Sequence, residues 1–111
     1  IACDESAAEP AHKKALFSGR PSVLTSAISG RPARCIANRF TELGSTIGPG
    51  RVPSYPVAFD AAKALHAAAK AAGEHGFGAA WAGEGAAKSR AMPAGKLVSL
   101  LAQEFRESAF S

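Results

Sequence analysis

The chain has 111 residues, of which 47% are hydrophobic, 20% charged and 7% aromatic; this suits one soluble domain or a piece of one and excludes a two-domain enzyme within these residues. Thirteen Lys and Arg against nine Asp and Glu give a net charge of +4, but the basic residues are spread from Lys13 to Arg106 without a tight run or interleaved aromatics, so nucleic-acid binding is not expected. No apolar run approaches the roughly 18 residues that cross a bilayer, and Asp4 and Glu5 beside Cys3 do not form a basic-then-apolar leader, so neither a membrane span nor export is expected.

In chain order, Ser6 and Glu9 have capping-box spacing while Pro10 suits a first helical position, which predicts a helix over residues 7–17 or 10–17. Ser18, Gly19, Arg20 and Pro21 break it, and residues 23–28 alternate as a short strand. A second helix is predicted from Pro32, with Ala33, Ile36, Ala37, Phe40 and Leu43 as its apolar stripe, Arg31, Arg34 and Asn38 on a polar face, and Gly44 as its end. The Gly- and Pro-rich stretch from Gly44 to Ser54 is a loop, either a connector or a ligand-facing segment.

Pro56 opens a long helix to about Ala72, ended by Gly73, whose buried stripe is predicted to be Val57, Ala61, Ala64, Leu65 and Ala68. A glycine-rich loop follows around Phe77 and Trp81. Pro93 starts the last helix, with Ala94, Leu97, Val98, Leu101 and Phe105 facing inward and a tail expected to fray after Arg106. About a quarter of the residues are alanine and only eight are aromatic, so the core is thin and larger surroundings are expected. With Ile1 first and Met92 the only methionine, the chain reads as a fragment.

Three constellations could carry chemistry. Tyr55, Phe59 and Lys63 are spaced by four residues, which on a helix lines two rings and a cation along one face. Such a face can lie against a planar aromatic ligand with the ammonium on an anionic group, or it can be an ordinary amphipathic surface with a solvated lysine. The run from Phe77 to Gly85 has glycines that would let backbone N–H groups approach a ligand, or that make a turn pinned by Trp81; it lacks the patterns of a nucleotide loop. Ser29-Gly-Arg-Pro-Ala-Arg34 would set two guanidinium groups at a helix N-terminus, as an anion site or as salt-bridge donors between domains. His12, His66 and His75 have no ligand spacing and read as surface residues, Cys3 and Cys35 as reduced thiols of a cytoplasmic protein, and no metal site is expected.

The order of segments adds to these readings. Ile1-Ala-Cys-Asp-Glu-Ser6, Pro10-Ala-His-Lys-Lys-Ala-Leu16, Thr25-Ser-Ala-Ile-Ser-Gly-Arg-Pro-Ala-Arg34 and Asn38-Arg-Phe40 come first. They are followed by Val52-Pro-Ser-Tyr-Pro-Val57, Phe59-Asp-Ala-Ala-Lys63, Trp81-Ala-Gly-Glu-Gly85 and Pro93-Ala-Gly-Lys-Leu-Val98. Over nearly the whole chain this series resembles the C-terminal part of bacterial nitronate monooxygenases, formerly called 2-nitropropane dioxygenases.

The resemblance implies an α/β fold: the C-terminal portion of an FMN-binding (β/α)8 barrel with a small covering domain, mainly helical here with one or two short strands. Residues 1–21 would follow the last barrel strand, residues 22–82 would form the covering domain, and residues 83–111 would return to the barrel and close it with a helix. The phosphate-binding Gly-Thr segment and the catalytic histidine of the family lie upstream, so no catalytic residue is expected in this chain, which would need the N-terminal barrel portion as its partner. Lys63, Trp81, Gly83, Glu84 and Gly85 would lie on the cofactor side, and Tyr55, Phe59 and Lys63 would line the substrate pocket. Phe59 stands where relatives often have Tyr, and Glu84 where they often have Gln.

The implied reaction is FMN-dependent oxidation of an alkyl nitronate by dioxygen to a carbonyl compound and nitrite. Two alternatives remain open at this point: another FMN-barrel reductase acting on quinones or enoyl thioesters, and a noncatalytic helical module that binds an acidic partner.

Overall fold

A computed structural model describes residues 1–110 of the chain. Its centre is a small antiparallel sheet: β1 (Ser22–Thr25) pairs with β2 (Ala33–Ile36) in the register Ser22–Ile36 to Thr25–Ala33. The other edge of β2 is taken by the loop at Trp81, which bridges antiparallel to Cys35, with the Ile36 N–H donating to the Ala80 carbonyl at 2.9 Å and the Ala82 N–H to the Arg34 carbonyl at 3.2 Å. β2 is therefore bonded along both edges. It is also covered on both faces, because successive strand side chains point opposite ways. Cys35 joins Ile28, Phe40 and Ala62 on one side, and Ile36 joins Ala15 and Leu16 of helix α1 (Pro10–Leu16) on the other.

This corrects the helix predicted over residues 32–43. Its apolar stripe is shared between β2 and a shorter helix α2 (Arg39–Ser45), because Cys35 and Ile36 are adjacent and both fully buried, which a strand between two layers satisfies. The helix restarts where Asn38 caps it: the Asn38 side chain accepts from the Thr41 N–H at 3.0 Å, and the Thr41 hydroxyl accepts from the Asn38 N–H at 2.9 Å. Gly44 does not end α2 but sits inside it, where a Cβ would stand 2.5 Å from the Ala27 methyl. β1 stops at Thr25 rather than at residue 28, because the chain turns at Ser26 with the Gly30 N–H donating to the Ser26 carbonyl, and Ile28 enters the core from that turn.

A short 3-10 turn (Pro49–Arg51) interrupts the next loop, and helix α3 (Val57–Ala71) follows. Its inward face is not the predicted one. Val57, Ala61, Ala64, Leu65 and Ala68 are exposed, while Ala58 and Ala62 are buried and Phe59 and His66 half-buried. The small side chains at 58 and 62 let the helix backbone approach the cluster around Ile28 and Phe40.

After a second 3-10 turn (Ala86–Lys88), helix α4 (Ala94–Ala109) has no buried residue, and the Val98, Leu101 and Phe105 of its predicted stripe are exposed. The helix continues past Arg106, so the predicted fraying is absent through Ala109. Polar ties hold it: the Glu5 carboxylate accepts from the Ala94 N–H at 3.0 Å, and Arg90 grips Glu104 at 2.9 and 3.2 Å. Among the described residues no helix is long and apolar enough to cross a membrane.

Candidate functional site

The approach to α3 places four side chains in a row. Tyr55 and Phe59 stack with ring centroids 6.3 Å apart and planes 28° from parallel. Lys63 carries its ammonium 5.0 Å from the Phe59 centroid, and Arg31 lays its guanidinium 4.4 Å over the Tyr55 ring. Lys63 is also paired with Asp60 at 3.3 Å. The register of this row is set at Gly30, whose φ of +85° belongs to the left-handed region and whose missing Cβ would lie 2.5 Å from the Tyr55 nitrogen and 2.6 Å from the Pro53 carbonyl oxygen. The Tyr55–Pro56 peptide is cis.

Beside this row opens a cleft of about 730 Å³ walled by α1, α3 and the loop of residues 74–81. Phe59, Lys63 and His66 line it from α3, His12 and Lys14 from α1, and Trp81 from the loop. The loop is held by the Asn38 amide, which donates to the Gly78 carbonyl at 2.8 Å, and by Phe77 packed on Phe40 at 6.2 Å. His12 Nε2 donates to the Trp81 carbonyl at 3.0 Å, which fixes the proton on that nitrogen and ties α1 to the loop. Glu9 binds the Lys70 ammonium at 2.8 Å and His66 Nε2 at 3.2 Å, and these two hydrogen bonds, that from Lys70 first, hold its carboxyl below the ordinary glutamate range. Glu74 is likewise lowered, by the Gly76 N–H first and then by Arg39. With Nε2 committed to Glu9, His66 keeps Nδ1 buried and without a partner. Burial pushes the Cys35 thiol up, which makes it a packing group rather than a nucleophile.

The structure brings Phe59, Lys63 and Trp81 to one cleft, with Tyr55 stacked just outside it. Of the glycines in the run from Phe77 to Gly85, Gly78 lines the cleft and Gly83 and Gly85 do not. Gly83 and Gly85 border a separate hollow of about 290 Å³ with Ile1 and Leu16. Glu84, whose side chain is 82% exposed, has its carboxylate 3.3 Å from Arg34.

The Ser29-to-Arg34 segment is not at a helix N-terminus, since a strand begins at Ala33. Of the two readings for that segment, salt bridging matches the observed Arg34–Glu84 pair. The histidines are less superficial than their spacing suggests: His12 and His66 are half-buried and hydrogen-bonded, and only His75 is exposed. Two features were missed in the sequence. His66 lies seven residues, two helical turns, after Phe59, so its place on the same face was legible from periodicity. The stacking of Arg31 on Tyr55 joins residues far apart in the chain and left no local signal. Among the described residues no group of His, Cys, Asp and Glu could hold a metal ion.

A mainly helical arrangement around a short sheet, with an aromatic and cationic face beside a cleft, is consistent with a piece of a larger α/β barrel protein. Residues 1–104 match the sequence profile of the nitronate monooxygenase family, and the chain belongs to that family. It is 46% identical over 110 residues to a nitronate monooxygenase of Paraburkholderia phytofirmans, covering 97% of this chain and 30% of that protein. It is 43% identical over 108 residues to one of Pseudomonas aeruginosa, covering 96% and 31%. The structure is similar to that of a nitroalkane oxidase from Streptomyces ansochromogenes, with a TM-score of 0.85 and 41% identity over 99% of this chain and 32% of that one. The chain thus spans about a third of the length of the relatives it matches.

Proposed function

We propose that these residues form the covering and closing part of a cytoplasmic FMN-dependent nitronate monooxygenase, which oxidises alkyl nitronates with dioxygen to carbonyl compounds and nitrite. The observation that carries the proposal is the stacked Tyr55–Phe59 pair running to Lys63 at the mouth of a large cleft, in a chain of this family. The domain division at residues 1–21, 22–82 and 83–111 belongs to the same proposal. Its support is that the first and last segments hold each other, through the Asp4 N–H on the Met92 carbonyl at 3.1 Å and the Glu5 carboxylate at the Ala94 N–H.

The residues present fit a flavin mononucleotide. The cleft offers the flat surfaces of Phe59 and Trp81, and its cations Lys14, Arg20, Arg39 and Lys63 outnumber its carboxylates Glu9 and Glu74, as an aromatic ring bearing a phosphate requires. Gly83 and Gly85 have ordinary backbone angles, and a Cβ at either would meet no atom of this chain within 4 Å, so nothing inside the chain demands glycine there. A group approaching from outside would explain both. Lys63 and Trp81 would hold the cofactor from the cleft, and Gly83, Glu84 and Gly85 from the adjoining turn.

The flavin supplies the redox chemistry between nitronate and dioxygen. The residues of this chain bind and shield. Tyr55 and Phe59 cover the reacting region with apolar surface and exclude water, and the Lys63 ammonium draws the anionic nitronate. Glu84, where relatives often have Gln, is paired with Arg34 at 3.3 Å, so its carboxylate has a cation of this chain beside it. Changing Lys63→Met in the full-length enzyme is expected to raise the apparent dissociation constant for nitronate or FMN about tenfold, as loss of a charged hydrogen-bond donor does. Unchanged binding and turnover would reject this role.

A further inference from the structure

We propose that Arg31 is a positioning and specificity residue for the substrate face: it holds the Tyr55 ring in the stack and adds the uncompensated positive charge that selects anions. The inference rests on the reading that this face receives the nitronate. Three observations carry it.

The guanidinium lies 4.4 Å over the Tyr55 ring, and the ring's other neighbour is Phe59, so Tyr55 is held between a cation and a second ring. The backbone under Arg31 is fixed, because the Ser29 hydroxyl, on a buried residue, donates to the Arg31 carbonyl at 3.1 Å and accepts from its N–H at 3.4 Å. Gly30 presses this same turn against the Tyr55 nitrogen. The Ser29–Gly30–Arg31 turn is thus one rigid clamp on the residue that begins the face.

The third observation is electrostatic. Lys63, the cation at the far end of the row, shares its charge with Asp60 at 3.3 Å. Among the described residues no carboxylate pairs with Arg31. The open positive charge of the row therefore lies at the Arg31 end. A guanidinium held over a ring face can also offer its N–H donors to a planar anion in a fixed fork, which an ammonium in the same place would not do.

The test is steady-state kinetics on the full-length enzyme with an alkyl nitronate, together with calorimetric titration of nitrate, a planar anion that needs no turnover. Arg31→Met is expected to raise KM about tenfold with kcat within about twofold, and to weaken nitrate binding by a similar factor. Arg31→Lys, which keeps the charge and loses the planar stack, is expected to recover only part of either loss. Unchanged KM and nitrate affinity in Arg31→Met would overturn the inference while leaving the nitronate reading intact. Full recovery by Arg31→Lys would overturn the positioning role. A wild-type enzyme inert toward nitronates would overturn the functional reading, and the nitrate titration would still decide for or against Arg31.

Discussion

Ile36 on β2 and Phe105 on α4 are both large apolar side chains placed by regular patterns, yet the first is 1% exposed and the second 72%. Around Ile36 the chain supplies its own cover: α1 on one side of the sheet, and α2, α3 and the Trp81 loop on the other. Around Phe105 it supplies none, and α4 is held by Glu5 and Arg90 through polar contacts at its start and middle. Helical periodicity reports that a face wants to be covered. It does not report whether the cover lies in the same stretch of chain. The outward faces of α3 and α4 match what is expected of a chain spanning about a third of its relatives' length.

That contrast can be broken by mutation. Ile36→Ala empties a two-sided core position and is expected to cost about 3 kcal/mol in chemical denaturation, whereas Phe105→Ala on this chain is expected to change stability by less than about 0.5 kcal/mol. Similar costs for the two would show that α4 is packed as firmly as the sheet. Asn38→Ala sharpens the account of the compact region, since it removes both the cap of α2 and the tie to Gly78; a loss of about 2 kcal/mol is expected, and a loss near zero would show that the loop holds itself.

The smallest effect belongs to the exposed tie between α1 and α3. The Glu9 carboxyl is lowered in the folded chain from an ordinary value of 4.5. Ionised Glu9 therefore contributes stability that is fully present above that value and is lost as pH falls through the lower native one. Because Glu9 is well exposed to solvent, the contribution is less than about 1 kcal/mol. Glu9→Gln should lower stability slightly at neutral pH and converge on the wild type in acid; a constant difference across that range would assign the effect to packing instead.

Much of this was legible before the structure. The proline signals placed the starts of α3 and α4 within one residue, and that of α1 by the Pro10 alternative, while the end of α4 lies three residues past the expected one; the four-residue spacing of Tyr55, Phe59 and Lys63 gave their shared face. The failure at β2 has a physical cause. Ala33, Ile36, Ala37, Phe40 and Leu43 fit a helix by spacing alone, and only the buried neighbours Cys35 and Ile36, together with Asn38 three residues before Thr41, argue for a strand followed by a capped helix. The inward face of α3 was misjudged because alanine carries little hydrophobic contrast, so the choice between Ala58–Ala62 and Ala61–Leu65 is made by what packs against the helix. The clamp of Arg31 on Tyr55 is set by the tertiary meeting of a turn with a helix start, which no local pattern encodes.

Consecutive placement of the thiol and the isoleucine on β2 has one more effect. Were this strand to slip by a single step against β1, the two side chains would trade compartments, with a branched hydrocarbon forced into room shaped for sulfur and a gap left behind it. Difference in bulk between two adjacent residues thereby proofreads the hairpin and leaves it one workable alignment.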